Sequence, residues 1–202
     1  MATTTSTTTS TTTSPTPGAP AAPAEFNGVP VEKLRGTIAK LTDNPDLAAF
    51  QFTARNEWIE GTGTTSTIHE WYGVGADHLH VAEFTASADH PTLGHGHGPT
   101  PQEYVLHALA ACLAAGVATT AANRGIKLSK IDTVARGKID VRGVLGIDPD
   151  VRNGFSSIEV EVDIDGDAPR DALDALITAS AKRSAVFDII TAPTSVVVAP
   201  KA

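Results

Sequence analysis

One residue type with redox and nucleophilic chemistry occurs once in the chain. Cys112 lies within TPQEYVLHALAACLAAGVATTAANRGI, residues 100–126. A thiolate is a nucleophile, a metal ligand and the starting point of oxidation to sulfenic acid. A free cysteine is equally a small apolar group that cores bury readily. At helical spacing it shares a stripe with Val105, Ala108, Ala115 and Gly116. The residue sits about three turns from the start of its helix, beyond the reach of that helix's own dipole. A lowered thiol pKa therefore calls for a positive partner from elsewhere in the fold.

Other side chains offer weaker chemistry. Of the seven histidines, His90, His95, His97 and His107 surround the entrance to the cysteine helix. His78 and His80 share one face of a strand. GHGHG presents His95 and His97 in a form suited to Zn or Cu, with Cys112 as a soft ligand. No strict ligand spacing accompanies them, so an exposed, glycine-loosened loop is the plainer reading, and no metal or other cofactor is expected. Glu103 and His107, four apart, read as a surface pair on the side away from Cys112. The glycines of GTGTT and RGVLG lack phosphate-loop spacing and mark turns. Trp58, Trp71, Tyr72 and Tyr104 suit core or dimer packing, or the lining of an apolar pocket.

These residues must be positioned by a chain of 202 residues, 41% apolar and 19% charged, with a net charge of −8. The acidic balance argues against nucleic-acid partners, which need Lys and Arg patches. No uninterrupted apolar run of membrane-spanning length appears, so no membrane insertion is expected. A single cysteine excludes an internal disulfide and fits a reducing, cytoplasmic setting. Residues 1–26, rich in Thr, Ser, Pro and Ala, read as a disordered tail, and residues 27–202 as one domain. Val31, Leu34, Ile38 and Leu41 predict a helix that Asn44-Pro45 stops. FQFTARNEWIEG, STIHEWYG and HLHVAEFTA read as strands, and ADHPTLGHGHGP as a loop. Thr100, Pro101 and Glu103 form a capping box that starts the cysteine helix, and Gly125 stops it. Because this helix is apolar nearly all round, it is expected to be central, buried on most faces and shared between two copies of the chain. KLSKIDTVARGKIDVRGVLG reads as one long strand and SSIEVEVDID as the next. APRDALDALITASAKRSAVFDII is helical at first, and TSVVVAP is a closing strand. The order after the first helix, β-β-β-α-β-β-α-β, predicts an α+β fold.

The pattern resembles the osmotically inducible protein C / organic hydroperoxide resistance (OsmC/Ohr) family. The similar segments are GPTPQEYVLHALAACLAAGVATTAANRGI, GKIDVRGVLGIDPDVRNGFSSIEVEVDI and KRSAVFDIITAPTSVVV. NGVPVEKLRGTIAK and FTARNEWIEG resemble the front extension of a larger branch, so the likeness spans about residues 27 to 199. It implies an intertwined homodimer with active sites at the subunit interface. In active members a cysteine attacks the peroxide O–O bond, a second cysteine resolves the sulfenic acid, and an Arg and a Glu tune the thiolate. Carried over, Cys112 matches the peroxide-reacting cysteine and Glu103 the Glu of the larger branch. The reductases' Glu directly after Pro is here Gln102, the resolving position is Ser184, and the loop GTGTTST has no Arg. Arg55 ranks first as its substitute, ahead of Arg124 and Arg183.

Two functions follow from this. The first is a thiol-dependent peroxidase that reduces organic hydroperoxides, with Cys112 as nucleophile, Glu103 and Arg55 beside it, and an external thiol restoring the cysteine. The second is a non-catalytic dimer of the same fold that holds an apolar small molecule at its interface.

Overall fold

The computed structural model describes residues 25–201, so the expected tail lies outside the described residues except for Glu25 and Phe26. Those two form β1 (Glu25–Phe26), which pairs with β2 (Val29–Pro30). Asn27 and Gly28 turn between them with φ of 54° and 73°. An Asn-Gly pair meets the demand of such a turn for positive φ at both central positions. The Asn27 side chain then ties the hairpin to the chain that follows the cysteine helix. Its Oδ1 accepts from the Leu128 N–H at 2.9 Å, and its Nδ2 donates to the Ile126 carbonyl at 2.8 Å.

The expected first helix is α1 (Val31–Asp43), of which only Val31 is buried. A short 3-10 turn, Pro45–Ala48, leads into a four-stranded antiparallel sheet. Its strands are β3 (Gln51–Phe52), β4 (Arg55–Glu60), β5 (Gly63–Gly73) and β6 (Ala76–Ala88). β5 is central, with β6 along one edge and β4 and β3 in succession along the other. This sheet places no apolar side chain in the buried core: Val81 is 103% exposed, Phe52 75% and Trp58 70%.

Residues 89–100 form the expected loop, and α2 (Pro101–Arg124) follows. The capping box is present at Thr100 and Glu103, and Gly125 ends the helix at φ 70°. Leu109, Leu113, Val117 and Ala121, four apart, form the buried stripe. Val117 and Ala121 join Ile164, Leu173 and Leu176 in the core cluster. The expectation of burial on most faces is not met within one chain, since the other faces of α2 are only partly covered. By length and composition alone α2 is long and apolar enough to pass as a membrane span, although polar residues interrupt it and no unbroken apolar run of that length occurs. The core helix of a folded domain meets the same test, and here the buried stripe packs on the chain's own helices and strands.

The long strand expected over residues 127–146 is shorter. β7 (Leu128–Lys138) ends at its last partner, Ser157 of β8 (Ser157–Gly166). Asp140 then caps the one-turn α3 (Val141–Val144) by accepting from the Arg142 N–H at 3.0 Å. The last helical stretch divides into α4 (Arg170–Ala181) and α5 (Ala185–Thr191), where Ser184 caps α5. The closing strand is not formed within this chain. Val196, Val197 and Val198 are 77%, 87% and 93% exposed and pair with no strand among the described residues. A β-strand exists only where a neighbour accepts its ladder hydrogen bonds.

Candidate active site

Close approach of α4 to α2 builds the site. Gly116 permits it, because a Cβ there would run into the side chain of Ser180. Ser180 is buried, and its hydroxyl donates to the Leu113 carbonyl of α2 at 2.8 Å. That contact brings the junction of α4 and α5 against the middle of α2. Cys112, half-buried, receives there a hydrogen bond from the Ser184 hydroxyl, with Oγ and Sγ 3.1 Å apart. The same Ser184 oxygen accepts from the Phe187 N–H at 3.1 Å, which fixes the hydroxyl's direction.

The electrostatics follow from this packing. Burial pushes the Cys112 thiol pKa up, while the Ser184 hydroxyl and the backbone N–H groups of Val186 and Ala185 pull it down. The net result lies below the ordinary thiol value. Hydrogen bonds to an anion favour the charged form. The partner needed from elsewhere in the fold is thus a set of neutral donors and not a cation. Sequence reasoning could not find the backbone donors, since amides carry no residue signature.

Cys112 opens onto a cleft of 310 Å³ lined by Thr119, Thr120, Ser180 and Arg183 among others. A separate apolar groove of 280 Å³ runs along the flank of Leu109 and Leu113, between β8 and α5.

The other expected site residues stand apart from Cys112 within the chain. Glu103 closes the capping box: its carboxylate accepts from the Thr100 N–H at 2.7 Å and the Thr100 hydroxyl at 2.9 Å. Those bonds, the backbone one first, hold its pKa below the usual carboxylate range. It precedes Cys112 by about two and a half helical turns, roughly 13 Å of rise. Arg55 lies on exposed β4 and pairs with Glu70, with Nη2 to Oε1 at 2.6 Å. Of the three arginines considered, the structure brings Arg183 to the cleft and not Arg55.

Around the histidines, Asp89 is the organising group. It is 4% exposed and accepts from the Thr62 hydroxyl and from the N–H groups of His90, His95 and His97. The Thr62 bond leads in holding its pKa far below the usual carboxylate range. The His95 and His97 rings are exposed and stacked at 5.5 Å. Among the described residues no cluster of three or more His, Cys, Asp or Glu side chains is placed to hold a metal ion. Trp71 stacks between Phe50 and His78, and with Tyr72 lines a cleft of the sheet. Trp58 is exposed, and the Tyr104 hydroxyl donates to the Ser87 carbonyl at 2.7 Å.

A family model described as "OsmC-like protein" matches residues 94–199, more than half of the chain, from the histidine loop to the exposed valines. The chain belongs to the OsmC-like protein family. Among solved structures, the OsmC-like protein from Mycoplasma pneumoniae is similar at a TM-score of 0.55 and 17% identity, covering 71% of this chain and 89% of that one. An organic hydroperoxide resistance protein OsmC from Legionella pneumophila aligns at a TM-score of 0.45 and 13% identity, covering 69% of this chain and 90% of that one. No curated protein matches the chain. Of the OsmC-like features expected near the thiol, Cys112 and the Ser184 position come together in space, whereas Glu103 and Arg55 have structural partners of their own.

Proposed function

We propose that the chain is an OsmC-like thiol-dependent peroxidase that reduces organic hydroperoxides by a one-cysteine mechanism. The observation that carries this is Cys112 at the mouth of a cleft, with its pKa lowered by the Ser184 hydroxyl and the amides of α5. The thiolate attacks the distal peroxide oxygen and the O–O bond breaks. The alkoxide leaves and takes a proton to become the alcohol, and Cys112 becomes a sulfenic acid. Ser184 cannot form a disulfide, so an external thiol completes the cycle. A reducing, cytoplasmic compartment suits such chemistry.

The working unit in this proposal is a homodimer. Its support is the uncovered apolar surface of α2 and of the β3–β6 sheet, which a second copy is suited to bury. Glu103 and Arg55 reach a thiol in this reading only if the partner subunit's fold brings them there. The binding-protein reading has one observation in its favour, the apolar groove beside Leu113 and Phe187.

The test is consumption of cumene hydroperoxide with a small thiol as reductant. Wild type is expected to turn over, and Cys112→Ser to be inactive. Mass spectrometry without thiol should show added oxygen on Cys112. An unmodified Cys112 in excess hydroperoxide, with no turnover, removes the peroxidase reading and leaves the binding protein; full turnover by Cys112→Ser removes Cys112 as the nucleophile.

A further inference from the structure

The polar cleft and the apolar groove flank the same stretch of α2, and they differ in chemistry. The groove is lined by Leu109, Leu113, Val160 and Phe187. The cleft is lined by Thr119, Thr120, Ser180, Ser184 and one cation, Arg183, with no acidic residue on its wall. Arg183 is exposed and makes no ion pair among the described residues. The hydroxyls of Thr119 and Ser180 donate inward, to the carbonyls of Ala115 at 2.7 Å and Leu113 at 2.8 Å. Their remaining capacity is to accept. A molecule suited to this wall therefore brings a carboxylate for the guanidinium and N–H donors for the hydroxyl oxygens. The guanidinium fork matches a carboxylate with two parallel hydrogen bonds.

We propose that this cleft receives the reductant, and that the reductant is a low-molecular-weight thiol of amino-acid or short-peptide type whose carboxylate pairs with Arg183. This rests on the reading of Cys112 as a peroxidatic cysteine, and it names the thiol that reading requires. In the first step the reductant's sulfur attacks the Cys112 sulfenic sulfur. An S–S bond forms, the S–O bond breaks, and the hydroxide leaves with the thiol proton as water. In the second step another reductant thiolate attacks the reductant-derived sulfur of the mixed disulfide. The small disulfide forms, and Cys112 departs as a thiolate. A low-pKa thiol is the better leaving group, so the donors from Ser184 and α5 assist this step. In sum, two thiols become one disulfide, and the hydroperoxide becomes alcohol and water.

The experiment uses the full chain as wild type, Arg183→Gln and Arg183→Lys. One arm measures reduction of peroxide-oxidised Cys112 by glutathione, which is anionic and peptidic, and by neutral 2-mercaptoethanol. A second arm needs no peroxide: reduced Cys112 is exchanged with glutathione disulfide and with hydroxyethyl disulfide, and the adducts are followed by mass. The quantity read is the ratio of the anionic to the neutral rate constant. Arg183→Gln should lower that ratio by about tenfold, the worth of one charge-assisted contact in a partly exposed site. Arg183→Lys, which keeps the charge but loses the fork, should fall between, and 1 M salt should narrow the difference. An unchanged ratio in Arg183→Gln overturns the proposal. If hydroperoxide leaves Cys112 unmodified while the exchange arm still shows the dependence on Arg183, the peroxidase reading falls and the assignment of the cleft to an anionic thiol stands.

Discussion

A serine hydroxyl 3.1 Å from the Cys112 sulfur donates a hydrogen bond and cannot close a disulfide. Removing it by Ser184→Ala takes away a donor that favours the thiolate, so the thiol pKa rises. The reacting fraction at neutral pH then falls. Alkylation of Cys112 by iodoacetamide at pH 7 is expected to slow roughly three- to tenfold, about the net worth of one hydrogen bond. For wild type the midpoint of the rate-against-pH curve should lie below that of an ordinary thiol, because the lowered pKa keeps thiolate present at lower pH. A midpoint that Ser184→Ala does not raise would remove the serine from this role. At this scale the candidate nucleophile was legible in the sequence, since Cys112 is the only cysteine. Ser184 was legible only through family resemblance. Arg55 was a plausible partner by strand position, yet its guanidinium already has Glu70 within 2.6 Å.

Helix ends were readable and the last strand was not, for one physical reason. A cap is local: Thr100, Pro101 and Glu103 carry the start of α2 within four residues, and the expected hydrogen bonds are present. A strand depends on a distant edge, so TSVVVAP has the right side chains without a partner among the described residues. Within the VRGVLG segment, Val141, Val144 and Leu145 keep helical spacing, and capping by Asp140 decides in favour of α3. The Asn27-Gly28 turn ahead of α1 is a local signal of the same kind as a cap, two residues suited to positive φ between paired strands. Two predictions belong to elements. Gly116→Ala forces a Cβ into Ser180 and pushes α4 off α2. Urea unfolding should show a loss of about 1–3 kcal/mol, as for overpacking elsewhere, together with slower alkylation of Cys112 at pH 7, because the Ser184 and α5 donors that favour the thiolate move away with α4. Asp89 anchors the 89–100 loop in its ionised form, so its contribution is present above the ordinary carboxylate pKa and is lost as pH falls through the lowered folded value. Asp89→Asn should lower Tm at pH 7, and the gap from wild type should shrink as pH drops below about 4. A gap that is constant with pH would assign the effect to shape alone.

For the whole molecule, apolar surface is distributed unevenly. One end of the chain has a closed core of Val117, Ala121, Ile164, Leu173 and Leu176. The other end is a sheet with Phe52, Trp58, Leu79, Val81 and Phe84 more than half exposed. Sedimentation at micromolar concentration should give twice the 20.9 kDa chain mass, and a 20.9 kDa species would exclude a shared active site. The loose sheet also has a kinetic signature. Its β5 amides bond to β4, β3 and β6, but among the described residues no buried apolar layer of the same chain lies beneath them. Deuterium uptake there should therefore slow as protein concentration rises, because association closes the openings through which solvent enters. Amides in β7 and β8, sealed by Ile164 and α4, should exchange at a rate indifferent to dilution.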